Sequence, residues 1–246
     1  MTANRSTKFY IGTSGWSYQD WKGGFYPKDL KKDDWLPYFS RQFNTVEINS
    51  SFYREIKPET YKTWKEKSEK DFLFTIKATR YLTHIKKLND ATEIWKRFIK
   101  GPDNLGKKLG PILVQLPPNF KANAEKLENF LKAASSDYKI AFEPRNKTWL
   151  IPEVFDILKK YNTALVISDT PEWPSREEIT ADFVYLRLHG PEGLYDSEYS
   201  EKQIKDWARK LKDWSKSVEY LFVYFNNDHE AKAVKNANQL IKFLNS

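Results

Sequence analysis

Two kinds of segment alternate along the chain. Short runs of apolar, β-branched or aromatic residues are separated by longer stretches in which apolar residues recur at helical spacing. Runs of this length and composition are typical of buried strands. Eight such runs are present, at residues 9–13, 45–49, 72–77, 112–116, 139–143, 164–168, 183–189 and 221–225.

Helical periodicity fills most of the intervals between the predicted strands. One such stretch opens with Pro58, and proline is well suited to the first turn of a helix. Residues 171–182 differ, because their two prolines and their lack of periodicity predict a loop. Helices are predicted at residues 34–43, 58–67, 91–100, 123–134, 152–161, 200–215 and 229–244.

The alternation of strands and helices predicts a parallel sheet, either open and doubly wound or closed into a barrel. The segment Gly12-Thr-Ser-Gly15 does not match the glycine-rich phosphate loop of a dinucleotide-binding open sheet. Eight units of about 30 residues favour closure. We therefore predict an α/β fold with a single domain over residues 1–246, a (β/α)8 TIM-type barrel with a parallel eight-stranded core.

Composition narrows the chemistry and the location. The sequence has no cysteine, which excludes disulfides, Cys-ligated zinc, iron–sulfur clusters and thiol nucleophiles. No apolar run approaches the roughly 18 residues of a membrane span. Residues 1–8 lack the apolar centre of a signal peptide. We therefore expect a cytoplasmic protein with no membrane partner, and a monomer, because no coiled-coil pattern or additional domain is apparent.

The formal net charge of +8 indicates either an anionic partner or a lysine-rich solvated surface. Basic pairs such as Lys31-Lys32 and Lys159-Lys160 are scattered along the chain and do not form one basic arm. A small polar or anionic ligand is therefore the expected partner. Nucleic acid is a less favoured alternative, because folding could still gather these lysines on one face.

Polar residues lie at the carboxyl ends of the predicted strands, which face the active site in a barrel of this kind. Packing alone does not explain them, because barrel interiors are usually filled by Val, Ile and Leu. The catalytic candidates are Glu47 and Glu143 as acid–base groups, Lys77 as a stabilising cation or a Schiff-base amine, and His189. The substrate-binding candidates are Trp16, Asn49, Tyr53, Gln115, Arg145, Asp169, Arg187, Asn226 and Asn227.

Side chains two positions apart on a strand share a face, so inward-pointing candidates should occur in pairs. Because burying a lone charge is costly, the cations should balance the acids. The acids are Glu47, Glu143 and Asp169, and the cations are Lys77, Arg145 and Arg187. The predicted pairs are Glu47 with Asn49, Glu143 with Arg145, and Arg187 with His189.

Residues 16–27 form the longest aromatic loop of the sequence. Together with Tyr53 and Trp149, this loop is expected to line a pocket that stacks on a sugar or a base. The alternative is a hydrophobic lid that closes the top of the barrel. The sequence does not separate these two roles.

Eight motifs are spread along the chain, namely IGTSGW at 11–16, WKGGFYP at 21–27, FNTVEINSSFY at 43–53, FTIKA at 74–78, VQLPP at 114–118, AFEPRNKTW at 141–149, YLRLHG at 185–190 and YFNND at 224–228. Together they resemble the motifs of the YecE-like family, a barrel family of unknown function. The similarity covers nearly the whole chain, without a clear departure at these positions. It implies a (β/α)8 barrel with the strand-end residues in its mouth, and it implies no established reaction.

Three classes of function fit this pattern. The favoured one is an enzyme that uses acid–base residues on a small polar, anionic or sugar-like substrate, without an expected cofactor. A less favoured variant adds a divalent metal bound by Glu47, Glu143, Asp169 and His189, although the close ligand spacings of common metal motifs are missing. The other classes are a nucleic-acid-binding or processing protein whose aromatic residues stack on bases, and a non-catalytic ligand-binding barrel.

Overall fold

The computed structural model describes residues 7–192 and 197–246. Within these ranges the chain forms eight strands, and all of the paired strands run parallel. The strands are β1 (Lys8–Thr13), β2 (Thr45–Ile48), β3 (Leu73–Lys77), β4 (Leu109–Gln115), β5 (Ile140–Glu143), β6 (Ala164–Asp169), β7 (Phe183–Leu188) and β8 (Tyr220–Phe225).

Helices surround the sheet and connect successive strands. They are α1 (Trp35–Gln42), α2 (Ser50–Tyr53), α3 (Pro58–Lys67), α4 (Ala91–Ile99), α5 (Ala124–Ala134), α6 (Pro152–Lys160), α7 (Glu201–Trp214) and α8 (Lys232–Asn245). Shorter 3₁₀ turns lie at Gln19–Trp21, Lys32–Asp34, Pro102–Lys108, Lys147–Trp149 and His229–Ala231, and one π-helical turn lies at Tyr81–Ile85. The connection between β6 and β7 contains no helix, as the two prolines of this interval predict.

Eight parallel strands in a nearly closed ring, surrounded by helices, confirm the predicted (β/α)8 barrel. Hydrogen bonding runs in the order β1-β8-β7-β6-β5-β4-β3-β2. Most boundaries lie within one or two residues of the prediction, but β4 begins at Leu109 and not at residue 112, and the last helix begins at Lys232 and not at residue 229. Glu230 and Ala231 have left-handed backbone angles, with φ of 53° and 61°, and these angles separate a 3₁₀ turn from the helix.

The seam between β1 and β2 closes the barrel with little backbone pairing. An isolated parallel bridge joins Ser14 to Glu47. Beyond it, the side chain of Asn44 takes the place of a strand partner: Ile11 N donates to its Oδ1 at 2.9 Å, and its Nδ2 donates to Phe9 O at 2.8 Å. One amide side chain thus satisfies a backbone donor and a backbone acceptor at this edge.

Gly12 lies at the same seam, where β1 approaches β2 most closely. A Cβ atom at Gly12 would lie 2.0 Å from Thr45 O, far inside van der Waals contact. Glycine is therefore required here by the approach of two backbones and not by an unusual φ angle.

Outward-facing strand residues pack against the helices, and inward-facing residues fill the barrel. Large side chains of β7 and β8 face small ones on the opposite wall. Tyr224 reaches across the barrel, and its hydroxyl lies 2.8 Å from Thr45 Oγ1 and 2.7 Å from Thr75 Oγ1. Below it, Tyr10 stacks on Phe222 with ring centroids 5.0 Å apart. This packed interior forms a floor, so the polar side chains collect above it at the carboxyl ends of the strands.

Candidate functional site

The side chain of Arg187, on β7, lies at the centre of the strand-end cluster. Its Nη2 and Nε donate to Glu47 Oε1 and Oε2 at 2.7 and 3.0 Å. Its Nη1 donates to Glu143 Oε2 and Oε1 at 2.8 and 3.1 Å. One guanidinium therefore joins β2 and β5 across the barrel. The side chains of all three residues are at most 2% exposed.

Glu47 uses both carboxylate oxygens in this arrangement. Besides Arg187, it accepts hydrogen bonds from the hydroxyl of Tyr185 at 2.6 Å and from Ser14 Oγ. Burial alone would raise the pKa of Glu47, but the charge and hydrogen bonds of Arg187, Ser14 and Tyr185 outweigh it and lower the pKa. A carboxylate that is buried, ionised and fully hydrogen-bonded is poorly suited to donate a proton.

Glu143 is bonded less completely than Glu47. Its Oε1 accepts a long hydrogen bond of 3.4 Å from Ser168 Oγ and lies 3.8 Å from Arg145 Nη2 and 4.0 Å from His189 Nε2. Of the two predicted acid–base glutamates, Glu143 is therefore the one that lies among the other polar side chains of the mouth.

Lys77 ends β3, and it is 8% exposed. Helix α2 folds over this strand end because Ser51 Oγ donates to Lys77 O at 2.7 Å. Phe52, the next residue of the helix, places its ring over this lysine, with the ring centroid 4.3 Å from Lys77 Nζ. Burial and then the positive charge of Arg187 lower the pKa of Lys77 to about 7. Lys77 forms no ion pair within 4.0 Å in the part of the chain that the structure describes.

Arg145 follows β5 and bridges two neighbouring strand ends. Its Nη2 donates to Gln115 Oε1 at 2.9 Å, and its guanidinium lies 3.8 Å from the centroid of the Trp173 ring. Its Nε is buried without a hydrogen-bond partner among the described residues, and the same holds for Trp173 Nε1. Two donors are thus unsatisfied at the mouth, where a bound molecule could accept from them.

His189 lies just after β7, fully buried beneath Trp173, whose ring meets the imidazole edge to face at 4.9 Å. Asn226 Nδ2 lies 2.8 Å from His189 Nδ1. With the amide as donor, Nδ1 accepts and Nε2 carries the proton. Burial and the charges of Arg187, Arg145 and Lys77 lower the pKa of His189 well below its usual value, so the imidazole is neutral.

The three pairs predicted from the alternation of strand side chains, Glu47 with Asn49, Glu143 with Arg145 and Arg187 with His189, all lie in this cluster. The members of each pair contact the same group of side chains, including Asn49, whose Nδ2 donates to Ser14 Oγ at 3.0 Å. Tyr53 is 77% exposed, and its ring packs against the neighbouring Phe52 and not against the cluster. The structure thus brings together nine of the thirteen candidates, namely Glu47, Asn49, Lys77, Gln115, Glu143, Arg145, Arg187, His189 and Asn226.

Three candidates contact other parts of the molecule. Trp16 packs edge to face against Trp64 of α3, with ring centroids 5.2 Å apart. Asp169 accepts a hydrogen bond from Trp207 of α7 at 3.2 Å. Asn227 is buried and donates to Ser197 O and to Asn236 Oδ1, both at 3.0 Å. The last two follow inward-facing residues, so alternation turns their side chains outward.

The aromatic loop at residues 16–27 is a packed structural element and not an open stacking surface. Trp21 and Tyr26 are buried, and Trp21 Nε1 donates to Asp228 O at 2.8 Å. Trp149 is also buried, with its Nε1 donating to Phe120 O at 2.7 Å. The expected stacking pocket of residues 16–27, Tyr53 and Trp149 is therefore not formed, since the loop packs instead against helices α1 and α3.

The described residues contain no group of three or more His, Cys, Asp or Glu side chains arranged to hold a metal ion. Of the four predicted ligands, Asp169 faces α7, and Arg187 occupies the space between Glu47 and Glu143. The geometry therefore does not support the set of ligands proposed from the sequence.

Residues 10–246 match the family model described as protein of unknown function DUF72. The chain belongs to the DUF72 family. This assignment confirms the resemblance to YecE, because the UPF0759 protein YecE of Escherichia coli K12 is 23% identical over 243 residues, covering 87% of this chain and 85% of YecE. The UPF0759 protein YunF of Bacillus subtilis is 24% identical over 268 residues, covering 96% of this chain and 94% of YunF.

A solved DUF72 structure shares the fold. The crystal structure of a DUF72 family protein from Thermotoga maritima MSB8 superimposes with a TM-score of 0.86 at 30% identity, covering 97% of this chain and 99% of that one. The two chains therefore share the fold over nearly all of their compared lengths. None of this chain's described helices combines the length and apolar character needed to cross a bilayer.

The candidates chosen from the sequence leave out five residues that contact the site, namely Ser14, Phe52, Ser168, Trp173 and Tyr185. Tyr185 lies two positions before Arg187 on the same strand, so alternation alone would have identified it. Ser168 likewise precedes the outward-facing Asp169. Trp173 lies in the irregular connection between β6 and β7, where no periodic signal indicates which side chain turns inward.

Proposed function

We propose that this DUF72 protein is an enzyme that binds a small anionic molecule at the carboxyl ends of the barrel strands and performs acid–base chemistry on it. The proposal rests on the charged side chains at the carboxyl ends of the strands, where cations outnumber carboxylates. Three cationic side chains, Lys77, Arg145 and Arg187, meet two carboxylates, and Arg187 binds both of them. Lys77 forms no ion pair among the described residues, and Arg145 forms only a long one with Glu143, at 3.8 Å, so both can attract an incoming anion.

Two donors without partners support binding of an anion beside Arg145, whereas Asn49 Oδ1, elsewhere in the cluster, is an acceptor without a partner among the described residues. The Nε of Arg145 and the Nε1 of Trp173 are both donors, and both lie next to the Arg145 guanidinium. Arginine suits carboxylate and phosphate groups because its planar fork donates two parallel hydrogen bonds. A carboxylate or phosphate against Arg145 would satisfy donors that the protein leaves open.

The residues divide into chemical and positioning roles in this proposal. Lys77 and Glu143 move protons, since Lys77 exchanges a proton near neutral pH and Glu143 faces the mouth. Arg187 stabilises negative charge that develops on the reacting molecule. Glu47 acts as a positioning residue that holds Arg187, and this role replaces the acid–base role predicted for it.

The binding step can be tested with inorganic phosphate as the probe. Isothermal titration calorimetry should detect phosphate binding to the wild-type protein. Arg145→Gln should weaken it about ten-fold or more, equivalent to the loss of about 1.4 kcal/mol. Arg97→Gln is the matched control, because Arg97 forms an exposed ion pair with Glu55. Equal affinity in Arg145→Gln and the wild type would contradict the proposal.

The chemical step can be tested by proton exchange. Small hydroxy acids, oxo acids and sugar phosphates are incubated with the protein in D2O, and deuterium incorporation at carbon is followed by proton NMR. We expect exchange with at least one compound, and Glu143→Gln should slow it about 100-fold or more, the usual contribution of a positioned acid–base group. Exchange at an unchanged rate in Glu143→Gln would remove the role of Glu143.

The nucleic-acid alternative has less structural support. Its aromatic element, residues 16–27, is packed into the protein through Trp21 and Tyr26. The positive charge remains, and non-specific binding to phosphates would weaken steeply with salt. Fluorescence anisotropy of a labelled single-stranded oligonucleotide at low and high salt separates the alternatives. Tight, salt-sensitive binding that survives Arg145→Gln would favour it over an anion site in the mouth.

A further inference from the structure

We infer that Lys77 forms a covalent imine with the carbonyl carbon of an aldehyde or ketone that also carries a carboxylate or phosphate. The inference rests on the proposed function and names its substrate class.

The surroundings of the Lys77 amine hold it in place without an acid partner among the described residues. Lys77 is largely buried, with Nζ against the Phe52 ring and without an ion pair among the described residues. A lysine kept for stability at a strand end would be expected to pair with Glu143 or Glu47, yet Arg187 occupies both carboxylates. The amine is thus held in place without being neutralised by an acid.

The protonation state of Lys77 is set by opposing influences. The Phe52 ring favours the ammonium form, whereas burial and Arg187 favour the neutral amine. With a pKa of about 7, a substantial fraction of Lys77 is neutral at neutral pH. Only the neutral amine has the lone pair that attacks a carbonyl carbon, and a desolvated lysine beside another cation is a recognised way to supply it.

Imine formation between Lys77 and a carbonyl compound needs no further reactant. The neutral amine attacks the carbonyl carbon, a C–N bond forms, and the carbonyl π electrons move to oxygen, whose developing negative charge is stabilised by the positive field that Arg187 and Arg145 exert at Lys77. Proton transfers convert this oxygen to water, which leaves as the C=N bond forms. Counted from the ammonium, the change is R–NH3⁺ plus O=CR2 giving R–NH⁺=CR2 plus water. Atoms and charge balance, and no oxidant or reductant is needed.

Arg145 supplies a second binding group, for the carboxylate or phosphate of the substrate. Arg145 lies on the strand end next to Gln115, with an unsatisfied Nε, and Trp173 stacks on its guanidinium. A substrate whose carbonyl reaches Lys77 can place a carboxylate or phosphate against Arg145. This geometry selects carbonyl compounds that carry an anionic group over neutral ones.

Reductive trapping tests the inference. The wild-type protein is incubated at pH 7 with sodium cyanoborohydride and either pyruvate or dihydroxyacetone phosphate, and peptide mapping by mass spectrometry locates the modified lysine. We expect Lys77 to be modified at least ten-fold faster than any other lysine. The more reactive probe identifies the anionic group as carboxylate or phosphate. Modification spread over surface lysines, with Lys77 no faster, would overturn the inference.

Two variants and a neutral probe serve as controls. Lys77→Met should lose the fast modification, whereas Lys96→Met, at an exposed position, should retain it. Neutral dihydroxyacetone should react with Lys77 at least ten-fold more slowly than its phosphate does, and equal rates would overturn the anionic substrate class. Mapping of the wild type gives an answer even if Lys77→Met fails to fold.

The outcome separates this inference from the proposed function. Phosphate binding that depends on Arg145, together with deuterium exchange but without modification of Lys77, would reject the imine and keep the acid–base enzyme. Fast modification of Lys77 without any dependence on Arg145 or any exchange would support the reactive amine and contradict the proposed function.

Discussion

Arg187 and Glu47 form a fork-to-fork ion pair in the interior of the barrel, with Nη2–Oε1 and Nε–Oε2 distances of 2.7 and 3.0 Å. Two parallel hydrogen bonds fix both the distance and the plane of the guanidinium. The third nitrogen of Arg187 is thereby aimed at Glu143. The orientation of the central cation therefore depends on Glu47, a residue that lies below the open part of the mouth.

Removing one charge of this pair should be costly. Glu47→Gln keeps the shape of the side chain but leaves Arg187 with one buried carboxylate in place of two. We expect a loss of about 1–3 kcal/mol in the free energy of unfolding, because Arg187 keeps Glu143 as its counter-ion but its hydrogen bonds to residue 47 are no longer made to a charged group. Urea denaturation measures it. Glu55→Gln, in an exposed pair with Arg97, is the control and should leave stability unchanged.

Gly12→Ala should destabilise the barrel at its seam. The added methyl group would overlap Thr45 O at 2.0 Å, so β1 and β2 must separate. We expect a loss of about 1–3 kcal/mol or more, as for other overpacked interiors. In the control Gly24→Ala, the new Cβ would lie 3.9 Å from its nearest neighbour. Similar denaturation midpoints for the two variants would show that the seam tolerates the methyl group.

Asn44→Ala should loosen the same seam without a steric clash. The change removes the acceptor of Ile11 N and the donor to Phe9 O, and two hydrogen bonds of this kind contribute roughly 1–3 kcal/mol. Hydrogen exchange at the amide of Ile11 should accelerate in step with this loss. Asn245→Ala is a suitable control at an exposed position. Unchanged protection of Ile11 would mean that water replaces the amide at no cost.

The stability of the protein should depend on pH through Lys77. Its folded pKa of about 7 lies below the ordinary value of 10.5. Between these values the unfolded chain binds the extra proton, so stability rises with pH, by up to about 1.4 kcal/mol per pH unit. Lys77→Met should remove this slope, so the difference between wild type and variant should change across pH 7 to 10. Parallel stability curves would contradict the lowered pKa.

The sequence was sufficient to predict the barrel because each strand is a short apolar run and each intervening helix is periodic. Alternation also assigned the inward residues correctly on β2, β5 and β7. The same rule, applied to Ser168 and Asp169, would have excluded Asp169 from the site. It would have excluded Asn227 in the same way.

Other features depend on distances that no local pattern contains. Whether Glu47 and Glu143 reach the same guanidinium is set by the width of the closed barrel and by the length of Arg187. Trp16 packs against Trp64 of α3, a contact that its place after β1 does not predict. Trp173 approaches Arg145 through an irregular connection, for which the sequence offers only prolines and no period.

All of the backbone partners of β1 on its paired side come from β8, since Lys8 is opposite Tyr220 and Thr13 is opposite Phe225. During synthesis, the first strand leaves the ribosome long before the last one exists. Until then β1 is an open edge whose backbone groups can pair with another chain. A product released before residue 225 would keep that edge permanently, so truncated chains should aggregate even when most of the barrel has formed.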